Sequence, residues 1–345
     1  MTVNNANMAT SFNPDPGVLF PCLDLGIYRL VFRIRGRNNL SGYLGSAWRG
    51  ILGRELVRLF CMWPEEKDCH NCDMASSCLY YIMYERRGCI SGFDMPPRPY
   101  ILTPSGFSRN RIQVDITLAG LDDEQIIHVL SAMQNLTDIG TGRKKTFFDF
   151  ETILQMQPGY KWTTVFPRNG AYRLHRLSWP LADFLDNAVF ESPPWIVKLV
   201  TPLRLRKEHK VLRRIPWGWT FQRFARRLYL LTHQNSQEEP PPFPWHETDA
   251  FLENPGHIMD INYWKECQKV SFPQNRKIPT GGLQGGCVII PPVGNEELWH
   301  RWWHSALLLH IGRKTTIGNG SIIFNDICGS MTKGRVSCLT NMEMN

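Results

Sequence analysis

Apolar and polar positions first alternate regularly over residues 26–35, where Tyr28, Leu30, Phe32 and Ile34 interleave with Arg29, Val31, Arg33 and Arg35. A period of two predicts a strand with one buried and one largely cationic face. Over residues 43–60 the period lengthens to that of a helix: Leu44, Ala47, Trp48, Ile51, Leu52, Leu56 and Leu59 share one stripe, leaving Arg49, Arg54 and Arg58 for the other side. Alternation returns at 111–118. An amphipathic helix is then predicted over 121–136, with Asp122, Asp123 and Glu124 in the first turn, where the helix dipole favours acids. A glycine-and-cation loop follows, residues 138–150, reading DIGTGRKKTFFDF.

The same order restarts at 195–205 with a strand, a basic loop and a helix over 218–233. A short strand at 286–292 and a helix over 296–310, built on Leu298, Trp302, Leu307 and Leu308, lead to residues 310–324, HIGRKTTIGNGSIIF. Ile139, Gly140, Gly142, Arg143, Lys144 and Thr146 correspond, after a two-residue difference, to Ile311, Gly312, Arg313, Lys314 and Thr316. Two halves that share the first strand–helix unit, a later strand and helix, and a glycine-basic loop indicate an internal repeat. The fold class expected is α+β, two tandem ferredoxin-like βαββαβ modules over 18–165 and 194–330, joined by a linker over 166–193 with room for a short helix at 179–190. Residues 1–17 read as a loose leader. Residues 238–264, with six acids, no Lys or Arg and the run PPPFP, read as a surface insertion.

Glycine tolerates positive φ and keeps a side chain out of the way, so Gly312, Gly318 and Gly320, with Gly140 and Gly142 in the first half, are expected to let backbone approach a bulky anion. Arg313, Lys314, Arg143 and Lys144 supply the charge. A nucleoside-triphosphate loop is excluded, because that motif needs Gly-Lys-Ser/Thr between a strand and a helix. Here Arg313 follows Gly312, and residues 321–324 read as a strand. A helix-to-strand loop suits an extended polyanion better than a compact triphosphate.

Charge strengthens that reading. The chain of 345 residues carries a formal net charge of +8 and a pI near 9.0. Residues 198–227 alone hold ten Lys or Arg, among them Arg204, Arg206, Lys207, Lys210, Arg213 and Arg214, against a single acid, Glu208. Trp217, Trp219, Phe221 and Phe224 interleave with these cations, a pattern that suits base stacking along RNA or DNA. Apolar content of 43% and the length allow two cored domains. The first twenty residues show no basic start and no continuous apolar segment, and nowhere do eighteen apolar residues run together. No membrane partner is therefore expected, and the cytoplasm is the default location.

Four of the ten cysteines fall in CMWPEEKDCHNCDMASSC: Cys61, Cys69, Cys72 and Cys78. A Cys-x2-Cys turn with single thiols on either side can complete a tetrahedron of sulfur around zinc. An iron–sulfur cluster and unliganded reduced thiols are the alternatives, and His70 or Cys89 could replace one ligand. Four protein ligands leave no open position, so such an ion is structural and takes no part in catalysis.

The tandem halves, the loop GRKTTIGNGSIIF before the last strand, and the segments WRGILGRELVRLFC, CHNC, SSCLY and PRPYILTP resemble the RAMP superfamily of CRISPR-associated proteins over roughly residues 26–325. Within it the chain looks like the endoribonucleases that process CRISPR precursor RNA, in the branch with a cysteine cluster. The resemblance implies metal-independent cleavage within the repeat RNA: its 2′-hydroxyl attacks the adjacent phosphate, leaving a 2′,3′-cyclic phosphate and a 5′-hydroxyl. It implies CRISPR repeat RNA as ligand, and other effector subunits as further partners. Many relatives carry a histidine near the first helix, but residues 35–58 contain none and offer Tyr43, Arg37 and Arg49. His209, between Lys207 and Lys210, is the first candidate base, because flanking cations favour the neutral ring. His310, beside the glycine loop, and Tyr43 are the others. His300 and His304 read as structural. A non-catalytic subunit of the same superfamily that holds guide RNA is the competing expectation.

Overall fold

The computed structural model describes residues 12–38, 40, 44–65, 68–87, 96–108, 110–140, 145–166, 176–234, 240–266, 268–271, 276–279 and 281–324. The first alternating stretch becomes β1 (Asp24–Arg35), followed by α2 (Gly45–Phe60) after a short α1 (Pro16–Leu19). A π-helical turn (Tyr81–Glu85) leads to β2 (Tyr100–Phe107), β3 (Arg111–Ala119), α3 (Asp123–Gln134), β4 (Asp138–Ile139), β5 (Thr146–Gln157) and β6 (Lys161–Phe166). Asp122 accepts from the Gln125 N–H at 2.8 Å and the Gln125 side chain reaches back to the Asp122 N–H, a capping box that fixes where α3 begins. The strand order is β2-β3-β1-β5-β4, with β6 pairing β5, and every pairing is antiparallel.

The second half contains β7 (Trp179–Pro180), α4 (Leu181–Asp186), β8 (Trp195–Leu203), a hairpin of β9 (Arg206–Lys207) and β10 (Lys210–Val211), α5 (Trp217–His233) and α6 (Trp245–Glu253). It continues with β11 (His257–Lys265), a hairpin of β12 (Gln268–Ser271) and β13 (Arg276–Pro279), β14 (Gly282–Ile290), α7 (Glu296–Leu309) and β15 (Ile322–Phe324). Its sheet runs β11-β14-β8-β15, antiparallel throughout. Counting only the four module strands, both sheets read second, third, first, fourth, the order of a ferredoxin-like module.

Three stretches differ from expectation. The expected insertion at 238–264 contains α6, packed on α5, and the edge strand β11. Alternate β11 side chains, Met259, Ile261 and Tyr263, face solvent and are 57–66% exposed, which hid the strand among polar residues. The leader is structured from residue 12: Arg301 on α7 pairs with Asp15 at 2.8 Å, and the Trp302 indole donates to the Pro14 carbonyl at 2.9 Å. In the expected linker β7 pairs with β1, whereas α4 is the short helix for which 179–190 had room, packed in the C-terminal core.

β1 is not the half-cationic strand that its alternation suggested. It is central and covered on both faces along most of its length, and Arg29 is buried in a two-bond pair with Asp115, at 2.7 and 3.0 Å. One core lies between α2, α3 and the N-terminal sheet. The other joins the C-terminal helices to Phe20, Leu25, Ile101 and Met156, so the two sheets share an apolar seam. Within it α7 buries Trp299, Trp302 and Trp303 completely.

α7 also buries His300 and His304, whose rings lie 4.2 Å apart, with His304 Nδ1 2.8 Å from the Tyr160 hydroxyl. Burial and then the Arg301 charge hold His300 down to about 4, and burial and then His300 hold His304 down to about 3. The unfolded chain therefore binds protons below pH 6.5 that the folded chain refuses. Stability is level above that pH and falls as the pH drops toward 4. By pH 5 the loss approaches ~2 kcal/mol per histidine. Urea midpoints at pH 7.5 and 5 measure it, and in His304→Phe the difference between the two should shrink.

Candidate nucleic-acid interface

The glycine loop is fastened to the end of β8. Ile311 N–H donates to the Gly320 carbonyl at 3.0 Å, Gly320 N–H to the Pro202 carbonyl at 3.2 Å, and Arg313 N–H to the Arg204 carbonyl at 2.9 Å. The Thr201 hydroxyl donates to the Gly318 carbonyl and accepts from Ser321 N–H. A Cβ on Gly312 would stand 2.5 Å from Leu203 Cδ1, and one on Gly320 1.8 Å from the Ile311 carbonyl oxygen. These two glycines therefore let the loop close on itself and on β8. Gly312 also lines the cleft beside this loop. Gly318, at φ 83°, ends the 3-10 turn Thr315–Ile317.

His310 closes α7 at φ 58° and ψ 163°, a region rare outside glycine. It is buried, its Nδ1 lies 3.2 Å from the Asn319 carbonyl and its Nε2 3.5 Å from Thr103 Oγ on β2. Arg227 donates to the Leu309 and His310 carbonyls, satisfying orphan acceptors at the end of α7. Burial pulls the Arg227 guanidinium down to about 10, so it stays charged at neutral pH.

Beside this loop is a cleft of about 410 Å³ lined by Arg206, Lys207, Trp219, Arg223, Phe224, Arg227, Gly312 and Arg313, with Glu208 its one acid. The β9–β10 hairpin forms one wall. Glu208 and His209 make its two-residue turn, both with positive φ, 48° and 64°, and Arg206 Nε donates to the His209 carbonyl at 2.8 Å. Such a turn normally uses Asn-Gly, and the lack of that signal hid the hairpin in sequence. His209 is thus held out at an exposed tip between exposed Arg206, Lys207 and Lys210.

The ten cations of 198–227 separate once they are placed. Arg226 is held by Asp249 through two bonds of 2.8 and 2.6 Å, Arg227 caps α7, and Arg204 donates to the Gly281 carbonyl at 2.6 Å. Arg206, Lys207, Lys210, Arg213, Arg214 and Arg223 are exposed and form no ion pair among the described residues. Desolvation, then the charges of Arg313 and Arg206, lower the Arg204 guanidinium, so these cations crowd one another and an anion would relieve them. Most interleaved aromatics are core: Trp217, Phe221 and Phe224 are buried, and of the four Trp219 and an edge of Phe224 reach the cleft. Lys314, at φ 63°, leads into the 3-10 turn. In the first loop Gly140 has φ 107°, whereas Gly142, Arg143 and Lys144 lie outside the described residues, as does Tyr43.

The Thr315–Ile317 turn packs against α2 and β2, bringing the N-terminal module to the loop. There Arg49 Nε donates to the Tyr100 hydroxyl at 3.1 Å and its guanidinium lies 4.9 Å from the Tyr84 ring centre. Burial raises both phenols, which stay protonated at neutral pH. Burial opposes the Arg49 charge, but Tyr100 and Tyr84 outweigh it and the guanidinium is raised. Arg98 stands close enough to repel Arg49, although burial is the larger influence lowering it. The sequence had offered Arg49 as a cation on a helix and, with Tyr43 and Arg37, where relatives carry a histidine. The phenol cluster that holds it depends on residues 35 and 51 positions away and had no local signal.

Residues 23–177 match the family model described as the AF_1859 N-terminal domain. No protein with a curated description matches. Solved structures of similar fold include a Thermus thermophilus Cas6 product complex, 12% identical, with a TM-score of 0.51 over 87% of this chain and 99% of that one. The chain has the Cas6 fold. A partial Cas6–RT–Cas1–Cas2 complex is 10% identical with a TM-score of 0.52, covering 91% of this chain and 47% of the other. Both likenesses therefore span residues of both modules.

No helix among the described residues is long and apolar enough to cross a membrane. Nor do any three of their His, Cys, Asp or Glu side chains stand in metal-ligating geometry.

Proposed function

We propose that the chain is an endoribonuclease that processes CRISPR precursor RNA, cleaving within the repeat without a metal. The observation that carries this reading is the cationic cleft between the β9–β10 hairpin and the glycine loop, on a fold shared with Cas6. Exposed Arg206, Lys207, Lys210, Arg213 and Arg313 hold the phosphate chain, and the packed glycine loop sets their positions. The RNA's 2′-hydroxyl attacks the neighbouring phosphate, the proton passes to a base, a cation stabilises the phosphorane, and the leaving 5′-oxygen is protonated. Cyclic-phosphate and 5′-hydroxyl ends result. His209 is the proposed base, because a bound strand can reach its exposed ring, whereas His310 is buried against Asn319 and Thr103. Tyr43 remains a further candidate on the approach to α2.

Incubating the protein with its own repeat RNA in EDTA tests the activity. A 2′,3′-cyclic phosphate product is expected, and intact RNA after prolonged incubation would refute it. His209→Ala should keep RNA binding and lose cleavage about a hundredfold, the scale of a general base; full activity removes His209 from the mechanism. One observation favours a second reading, a non-catalytic subunit that holds guide RNA: the described residues lining the cleft include no histidine. Tight binding of repeat RNA with no cleavage is its signature.

A further inference from the structure

The segment after α2 is turned inside out relative to an ordinary loop. Its large apolar side chains, Met62, Trp63 and Met74, are 72%, 54% and 50% exposed. Every described residue from 62 to 77 is exposed except Cys69, Cys72 and Ala75, and the half-buried residues at its two ends are Cys61 and Cys78. The interior of the loop is therefore four sulfurs and one methyl group. All four line a single cleft of about 670 Å³, bounded beneath by Phe60 and Leu79 and across by the first turns of α3 at Gln125 and His128. None of the four stands in a disulfide among the described residues.

Hydrophobic burial explains this arrangement only in part: Cys69 and Cys78 pack against the N-terminal core, yet Met62, Trp63 and Met74 are left in solvent. A loop held by apolar packing would turn Trp63 and Met62 inward, since those side chains have the most to gain. Thiols make weak hydrogen bonds and small apolar contacts, so four of them hold about sixteen residues together only if something bonds them to one another. The backbone is suited to a single ion. Cys61 directly follows α2, with its N–H on the Val57 carbonyl at 2.9 Å. Cys69 and Cys72 stand three apart. After Cys72 the chain makes a turn, with Ala75 N–H on the Cys72 carbonyl at 3.0 Å and Cys78 N–H on the Met74 carbonyl at 2.9 Å, which carries Cys78 back to the same cleft.

We propose that Cys61, Cys69, Cys72 and Cys78 bind one Zn²⁺ as thiolates, a structural ion that fastens this loop to the end of α2 and to the Tyr81–Glu85 turn. The sulfurs are not drawn together as they stand, so the loop contracts on the ion. Four thiols lose their protons in doing so, which makes binding stronger as pH rises. Closed sulfur coordination leaves no position for water or RNA, and the site is independent of the proposed cleavage.

The full chain, purified without chelator, should contain one zinc by elemental analysis. Four thiols should be shielded from a thiol reagent until a mercurial releases the metal, and a strong chelator should lower the melting temperature. The Cys69→Ser/Cys72→Ser variant should lose the zinc. Should that variant fail to fold, cobalt substitution of the parent decides: intense sulfur-to-cobalt charge-transfer bands with tetrahedral d–d absorption are expected. Absence of metal, zinc retained by the double variant, iron in place of zinc, a thiol count showing two disulfides, or cobalt spectra without sulfur bands would each overturn the proposal.

Discussion

Gly320→Ala is expected to collapse the loop at 310–321 and to lower the stability of the whole protein by ~3 kcal/mol or more. Gly320 sits at φ 73°, where an L side chain is strained, and its Cβ would stand 1.8 Å from the Ile311 oxygen, 2.8 Å from its carbonyl carbon and 3.2 Å from its nitrogen. All three are backbone atoms, so no side-chain rotation relieves the overlap. The bond from Ile311 N–H to the Gly320 carbonyl and that from Gly320 N–H to Pro202 would open together, releasing the strap between α7 and β8. Gly159→Ala is the matched control: its φ is 83°, yet nothing lies within 4 Å of the added Cβ, so only the backbone preference is lost, about 1 kcal/mol. Thermal denaturation of the two variants separates close packing from conformational strain. Equal losses would mean that the loop is not braced as described.

Removing the exposed cations should have the opposite signature, a folded protein that no longer holds RNA. Arg206, Lys207, Lys210 and Arg313 are replaced together by alanine. These cations form no ion pair among the described residues, so the melting temperature should change little. Each phosphate contact to a single strand contributes about 0.7 to the slope of log affinity against log salt, so the slope should flatten by about 3. Affinity should drop on the order of a hundredfold or more at low salt. Arg226→Ala supplies the contrast. That guanidinium belongs to the same basic stretch but is held by Asp249, so the slope should stay as in the parent. Anisotropy of a labelled repeat RNA across a salt series reads both variants. An unchanged slope in the fourfold variant would place the RNA elsewhere on the molecule.

The Arg226 contrast marks the limit of counting charge along a chain. Ten cations in 198–227 are visible in sequence, but which of them remain for a ligand is set by partners far away: Asp249 for Arg226, the end of α7 for Arg227, and Gly281 for Arg204. The aromatics between them misled for a related reason. Trp217, Phe221 and Phe224 share a helical stripe, and that stripe faces the core, where burying rings stabilises more than exposing them for stacking would. Edge strand β11 was hidden because one of its faces is uncovered, leaving polar residues and exposed apolar ones intermixed.

The sequence by itself determined the repeat, the α+β class, the period of the four long helices and of strands β1, β3 and β8, and the two glycine-basic loops, because these depend on local periodicity and on residues adjacent in the chain. It also placed four cysteines at spacings able to meet. Tertiary structure alone decided the strand order that pairs β1 with β3 and β5, the seam joining the two modules, and the cleft between hairpin and loop. It likewise decided that Gly312 and Gly320 serve close backbone packing, that Arg49 lies among phenols, and that four sulfurs form the inside of their loop. Each of these depends on contacts between residues distant in sequence, whose energies come from burial and from unpaired charge, and neither quantity exists until the chain has folded.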